Sequence, residues 1–328
     1  MGRRSVWSKE KLIELTKKFV PVADEVYRLQ RDAGPECRVF RKIFRGTEEP
    51  SRGTMQGIYV CTAGGARLAG RNSLNADLVA KMLEGALEKW DQLSTEERSL
   101  PVGTSIEVGP RWEDSYPSAG LVLVRTARDL PKKLDPAAAA VMPFNPDQVW
   151  FAKKEARGFL PDQLTPGQKG PVSRLIVERL TRFHLVDNVH GQTIPYAPSE
   201  VTSSKITSEV TGQDGDLVEV QLSGTTKASS DKWLLGGNYW KPQRDWPHGV
   251  ATKLLGRAVY DRKRGVFTKF EMVALGERWG RTQLNGRAMY TAAEPIGFEF
   301  SLAAKGARIA PTFINMYGVD WVKDPYKQ

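Results

Sequence analysis

Two long alternating runs constrain this chain most. They are KITSEVTGQDGDLVEVQLSGTTKAS (205–229) and VATKLLGRAVYDRKRGVFTKFEMVALGERWG (250–280). Each puts apolar residues at every second position on both sides of a turn, GQDGD in the first and DRKRG in the second. Period-two alternation around a glycine-bearing turn predicts an antiparallel hairpin. IGFEFSLA (296–303) predicts one more strand. Long antiparallel strands with one apolar face must bury it under a helix or a second sheet. The expectation for residues 176–328 is therefore an antiparallel β-rich domain, a curled sheet or half-barrel with covering helices.

The first third has a different pattern. WSKEKLIELTKKF (7–19) has helical spacing, with Ser8 in the N-cap position. FVPVADEV (19–26) predicts a strand, with Pro21 marking an edge or a start. GPECRVFRKIFRG (34–46) predicts a short helix, with Pro35 at the first helical position, Gly46 just past the end, and Val39, Phe40, Ile43 and Phe44 as its apolar stripe. GIYVCTAGGARLAG (57–70) predicts a hairpin around a glycine turn. NADLVAKMLEGALEKW (75–90) predicts a helix with a stripe of Leu78, Met82, Leu83, Ala86, Leu87 and Trp90.

The order helix, strand, helix, hairpin, helix over 7–90 resembles the later part of a thioredoxin-like domain. VWSKEKLIELTKKFVPVADEV is similar to the segment after that family's active-site helix, GIYVCTAGGARLAGR to its last hairpin, and ADLVAKMLEGALEKW to its final helix. The family's C-x-x-C turn has no counterpart, and Met55, Gln56 and Gly57 stand where its cis-proline would be. The resemblance therefore implies a scaffold without disulfide chemistry, and no catalytic residue carries over.

Between these regions lies a proline-rich stretch. AGLVLVRTAR (119–128) predicts a strand, DPAAAAVM (135–142) and NPDQVWFAKKEARGFL (145–160) predict helices, and SRLIVERLTRFHLVD (173–187) starts helical and ends strand-like. The expected organisation is α+β: a thioredoxin-like domain at 1–92, a linker or accessory region at 93–175 and the β-rich domain at 176–328.

Composition narrows the function classes. The chain has 328 residues and a formal charge of +10. That balance raises the standing of nucleic acid or an anionic surface as a partner. The basic residues form only short clusters, such as RKIFR (41–45), so nucleic acid is not the favoured partner. No apolar run is long enough to span a membrane. MGRRSVWSKEKL lacks the apolar core of a signal peptide, so the expectation is cytoplasmic, with an exported form if the N-terminus is incomplete. Two cysteines and three histidines leave little room for a disulfide framework or a zinc site, and no cofactor or metal is expected.

Two places stand out as candidate sites. Cys37 falls in the first turn of a helix beside Arg38, where the dipole and the cation favour a thiolate and Glu36 opposes it. Cys61, on a strand, is expected in the core. WLLGGNYWKPQRDWPHG (233–249) mixes aromatics with glycine, proline and cations; Trp233, Tyr239, Trp240, Lys241, Arg244, Trp246 and His248 are its candidate ligand contacts. GERWGRTQLNGR (276–287) adds Arg278, Arg281 and Arg287 as a weaker anion-site candidate. His184 and His190 would share one face of a strand but lie too far apart to hold one ion. No motif identifies a reaction. The expected function is a redox-inactive thioredoxin-like binding or scaffold protein whose β domain holds a ligand or protein partner. The alternatives are a thiol-dependent redox protein using Cys37, and a nucleic-acid or anionic-surface binder.

Overall fold

The computed structural model describes residues 6–7, 9–24, 26–51, 53–73, 75–105, 107, 119–133, 135–191, 193, 195–231, 246–282, 285–287 and 292–305. The chain divides into two compact units, residues 1–111 and 112–328. No helix among the described residues is long and apolar enough to cross a membrane.

The first unit contains α1 (Glu10–Thr16), α2 (Val26–Arg31), α3 (Pro35–Arg45), β1 (Ile58–Cys61), β2 (Arg67–Arg71), α4 (Ala76–Asp91) and α5 (Thr95–Arg98). Pro35 opens α3 and Gly46 closes it at φ +76°, a left-handed conformation that glycine adopts without a Cβ penalty. The Asn75 side chain caps α4 by accepting from the N–H groups of Asp77 and Leu78. Leu12 of α1, Val60 and Leu68 of the β1–β2 hairpin, and Val79, Ala80, Leu83 and Ala86 of α4 form the core.

Four expectations for this unit need correction. Residues 19–24 form no strand, and Val20 and Val22 are exposed, because no neighbouring strand is there to pair with them. Among the described residues, the hairpin is therefore the unit's whole sheet, and a thioredoxin-like layer is not confirmed. The buried face of α3 is Cys37 and Arg41, with Val39 pointing to solvent. The α4 stripe is rotated, so that Val79 and Ala80 are inside and Leu78 is exposed. Cys61, expected in the core, is also exposed. A bulge between Val60 and Cys61 shifts the hairpin register there.

The second unit is built on an antiparallel sheet of eight strands that does not close into a barrel, in the order β4-β3-β10-β9-β8-β7-β6-β5. The strands are β3 (Leu121–Asp129), β4 (Phe144–Phe151), β5 (Lys169–Pro171), β6 (Val201–Asp214), β7 (Leu217–Ser230), β8 (His248–Asp261), β9 (Val266–Gly280) and β10 (Glu294–Leu302). Both long hairpins form as the alternation predicts. In β7, Val218, Val220 and Leu222 are buried while Glu219 and Gln221 between them face out. Strand pairing requires close backbone approach in places. A Cβ on Gly276 would lie 1.8 Å from the Ala251 carbonyl oxygen, so only glycine fits there. Both edges carry a proline, Pro146 on β4 and Pro171 on β5, which blunts pairing with further strands.

The apolar half of the inner face is covered by α7 (Lys153–Ala156), a tight turn at Arg157–Phe159, and α8 (Arg174–Arg179). Phe159 is fully buried and meets Phe151 and Phe270 edge-on at 5.1 and 5.2 Å. Residues 93–175, expected as a linker and accessory region, supply β3, β4 and β5, together with α6 (Pro136–Val141). NPDQVWF is a strand where a helix was expected. Its pairing with β3 along the full register overrides local propensity. Likewise α8 runs on through a wider helical turn, Leu180–His184, so His184 and His190 do not lie on one strand.

Candidate functional site

Along β3 every second residue faces the covered side: Leu121, Leu123, Arg125, Ala127 and Asp129. The face thus changes from apolar to charged along one strand. The segment after α8 supplies the facing groups, His184, Asp187, Asn188 and His190. The result is two linked polar clusters on the inner face.

In the first, Arg125 is fully buried. It donates to Asn188 Oδ1 at 2.9 Å and to Asp147 Oδ2 at 3.1 Å. Asn145 donates to the Asn188 carbonyl at 2.8 Å. His184 Nδ1 lies 3.9 Å from Asp147 Oδ2, yet neither ring nitrogen makes a hydrogen bond. Burial, together with the Arg179 and Arg125 charges, holds His184 well below the usual histidine range, so it is neutral.

In the second, Arg287 joins two carboxylates. It donates to Asp129 at 2.9 and 2.6 Å and to Asp187 at 2.8 and 2.7 Å. His190 Nε2 also meets Asp129 Oδ2, at 2.6 Å. Burial alone would raise the Asp129 carboxyl, but the hydrogen bonds from His190 and Arg287 outweigh it and hold the group well below the carboxylate range.

Beside this clamp, at the end of the β8–β9 ladder, hydrogen-bond donors collect without acceptors among the described residues. Arg278 is 3% exposed. Its Nη2 donates to Glu294, and its Nε lies 4.0 Å from Asp187, which is already bound twice by Arg287. Nε and Nη1 make no hydrogen bond. The Arg281 guanidinium sits over the Trp246 ring at 4.9 Å, and Arg281 Nε, Trp246 Nε1 and the Thr282 hydroxyl are buried without partners as well. Register pairs Val250 with Arg278 and His248 with Gly280, which makes His248 a diagonal neighbour of Arg278 on the covered face. His248 stacks on Tyr196 at 5.6 Å and hydrogen-bonds the Trp246 carbonyl at 2.8 Å. Burial lowers the His248 pKa against that bond.

Of the candidate ligand contacts named from the sequence, Trp246 and His248 fall at this end of the sheet together with Arg278, Arg281 and Arg287. Trp233, Tyr239, Trp240, Lys241 and Arg244 lie outside the described residues. Cys37 is elsewhere, in the first unit. It is buried, and desolvation raises its thiol against the opposing charge of Arg28, whose Nη1 lies 3.4 Å from Sγ. That environment disfavours the thiolate. Arg125, Asp129, Asp147, Asn188 and Tyr196 escaped the sequence reading. A signal for two of them was present: Arg125 and Asp129 share the phase of Leu121 and Leu123 in an alternating run.

No protein-family model matches this chain, and neither a curated protein nor a solved structure matches it.

Proposed function

We propose that this chain is a binding protein whose β-sheet unit takes an anionic ligand rich in hydrogen-bond acceptors, a carboxylate or a phosphate, at the Arg278 end of the β8–β9 ladder. One observation carries the reading: Arg278, Arg281, Trp246 and Thr282 leave buried groups without partners among the described residues, within a few residues of that end. Each buried donor without an acceptor costs about 1–3 kcal/mol, and folded proteins leave few of them. With the exception of the Thr282 hydroxyl, which can donate or accept, these groups are donors only. An acceptor-bearing ligand satisfies them together, and the arginines supply the charge and planar geometry that carboxylates and phosphates match. Trp246 adds a ring to pack against.

The first unit enters this reading as a redox-inactive scaffold, thioredoxin-like in its hairpin and closing helix. The lack of a C-x-x-C pair in the sequence supports that half, as does the buried, raised thiol of Cys37. Phenyl phosphate and benzoate test the site, read by thermal unfolding and tryptophan emission. At about 100 times Kd a bound anion should stabilise the unit by roughly 2.7 kcal/mol. Arg278→Met should abolish that shift, and Trp246→Phe should remove the emission change. If neither anion shifts the transition, or if Arg278→Met shifts as the parent does, the reading is wrong.

A further inference from the structure

The first unit holds a second feature, independent of the sheet site. A groove of about 440 Å³ runs between the end of α3 and the β1–β2 hairpin. Phe44 and Tyr59 form part of its wall, and Arg45, Arg67, Arg71 and Asn72 line it with no acidic side chain among them. The rings are fixed. Their centroids are 4.6 Å apart, and the Tyr59 hydroxyl donates to the Met55 carbonyl at 2.5 Å. Gly70 also lines the groove, where a Cβ would press to 3.0 Å from the Tyr59 ring.

The cations have no acidic partner among the described residues. Arg67 makes one hydrogen bond, to the Phe44 carbonyl at 3.3 Å. Arg45 and Arg71 are exposed and have no ion-pair partner among the described residues. Three arginines facing one concavity without a counter-charge present a field that an anion neutralises. Partly exposed aromatic rings between them offer faces on which flat groups stack.

From this juxtaposition we infer that the groove binds single-stranded nucleic acid, with the arginines on successive phosphates and a base against the Phe44–Tyr59 pair. Interleaved cations and rings are the combination that sequence-tolerant single-strand binding uses. A duplex keeps its bases stacked away from such rings. A bilayer surface meets protruding apolar groups, whereas these rings are anchored inside a concavity. The site is assembled from two elements, which explains why RKIFR alone forms no dense basic block.

The test is fluorescence anisotropy of a labelled thymidine oligonucleotide with the full chain across a salt series. Three phosphate contacts predict a slope of log K against log salt of about −2. Arg45→Ala with Arg71→Ala should weaken binding about tenfold and bring the slope to about −0.7. Lys205→Ala with Lys227→Ala removes the same charge from exposed strand positions in the other unit and should leave binding unchanged. The single Arg71→Gln variant serves if the double variant loses its circular dichroism, and should show a smaller loss in the same direction. Absence of oligonucleotide binding overturns the inference. So does equal loss in the lysine control, competition by inorganic tripolyphosphate as strong per phosphate as by the oligonucleotide, or binding to anionic vesicles in place of the oligonucleotide.

Discussion

Arg41 in the first unit and Arg278 in the second are both buried arginines, and the difference between them separates structure from site. Arg41 is 1% exposed, and its guanidinium donates to the carbonyls of Glu48, Leu29 and Asp32 at 2.7–2.9 Å. It ties α3 to the end of α2 and to the loop after α3. Arg278 is buried to nearly the same degree, but two of its nitrogens have no acceptor among the described residues. A buried guanidinium surrounded by backbone carbonyls is a strut. One with open donors is costly to the free protein, and the proposed anion would relieve that cost.

The comparison breaks most visibly at the strut. Arg41→Met keeps the aliphatic length and removes the donors, leaving three carbonyls without a partner at about 1 kcal/mol each. The expected loss is about 3 kcal/mol in the first unit. Hydrogen exchange of the α3 amides should accelerate by roughly a hundredfold, while exchange in β7–β9 stays unchanged. Unchanged exchange in α3 would mean that Arg41 is not the tie its bonds describe.

A second contrast is between two buried groups whose pKa values are both lowered in the fold but whose pH windows differ. His184 is held neutral in the fold, while in the unfolded chain it takes up a proton below about pH 6.5. Below that pH the unfolded state binds more protons, so stability falls as pH falls, by about 1.4 kcal/mol per unit. Between pH 6.5 and 5 the loss is roughly 2 kcal/mol. Asp129 has a depressed pKa in the fold, so its contribution is complete above the unfolded carboxyl value of about 3.9 and is lost only below it. The window from pH 6.5 to 5 therefore isolates the histidines. His184→Phe should flatten most of the slope, with a residue from His248, whose shift has the same direction. Denaturant midpoints taken at each pH measure this. A slope unchanged by His184→Phe would show that the ring is protonated in the folded chain.

These two arginines also show what could be read in advance. The hairpins of 201–230 and 248–280 were legible because alternation and turn chemistry are local. So was α3, from Pro35 and Gly46. Failures came where tertiary pairing decided. Phe144–Phe151 became an edge strand through β3, and residues 19–24 lost their strand for want of a neighbour. For the site, Trp246, His248, Arg278 and Arg287 could be named from residue type, but not the partners that distinguish Arg287 from Arg278. Arg287 finds Asp129 and Asp187, 158 and 100 residues away in the chain, and no local pattern encodes that.

The smallest expected effect carries the most information. Arg278→Met replaces a charged group that is only partly paired with an apolar one of similar length. Removing one partner of a fully buried ion pair is strongly destabilising, because the other charge is stranded. Glu294, however, has a side chain 41% exposed, so it can recover water, and Asp187 keeps its two bonds from Arg287. The two open donors disappear with the guanidinium, which offsets the lost bond to Glu294. The net change should be under about 1 kcal/mol in either direction, against about 3 kcal/mol for Arg41→Met. Matched denaturant titrations of the two variants and the parent measure it. If Arg278→Met costs as much as Arg41→Met, both arginines are struts and the open donors of the β8–β9 end do not mark a binding site. If it is near neutral while anion binding is lost, the guanidinium is held in place for its ligand.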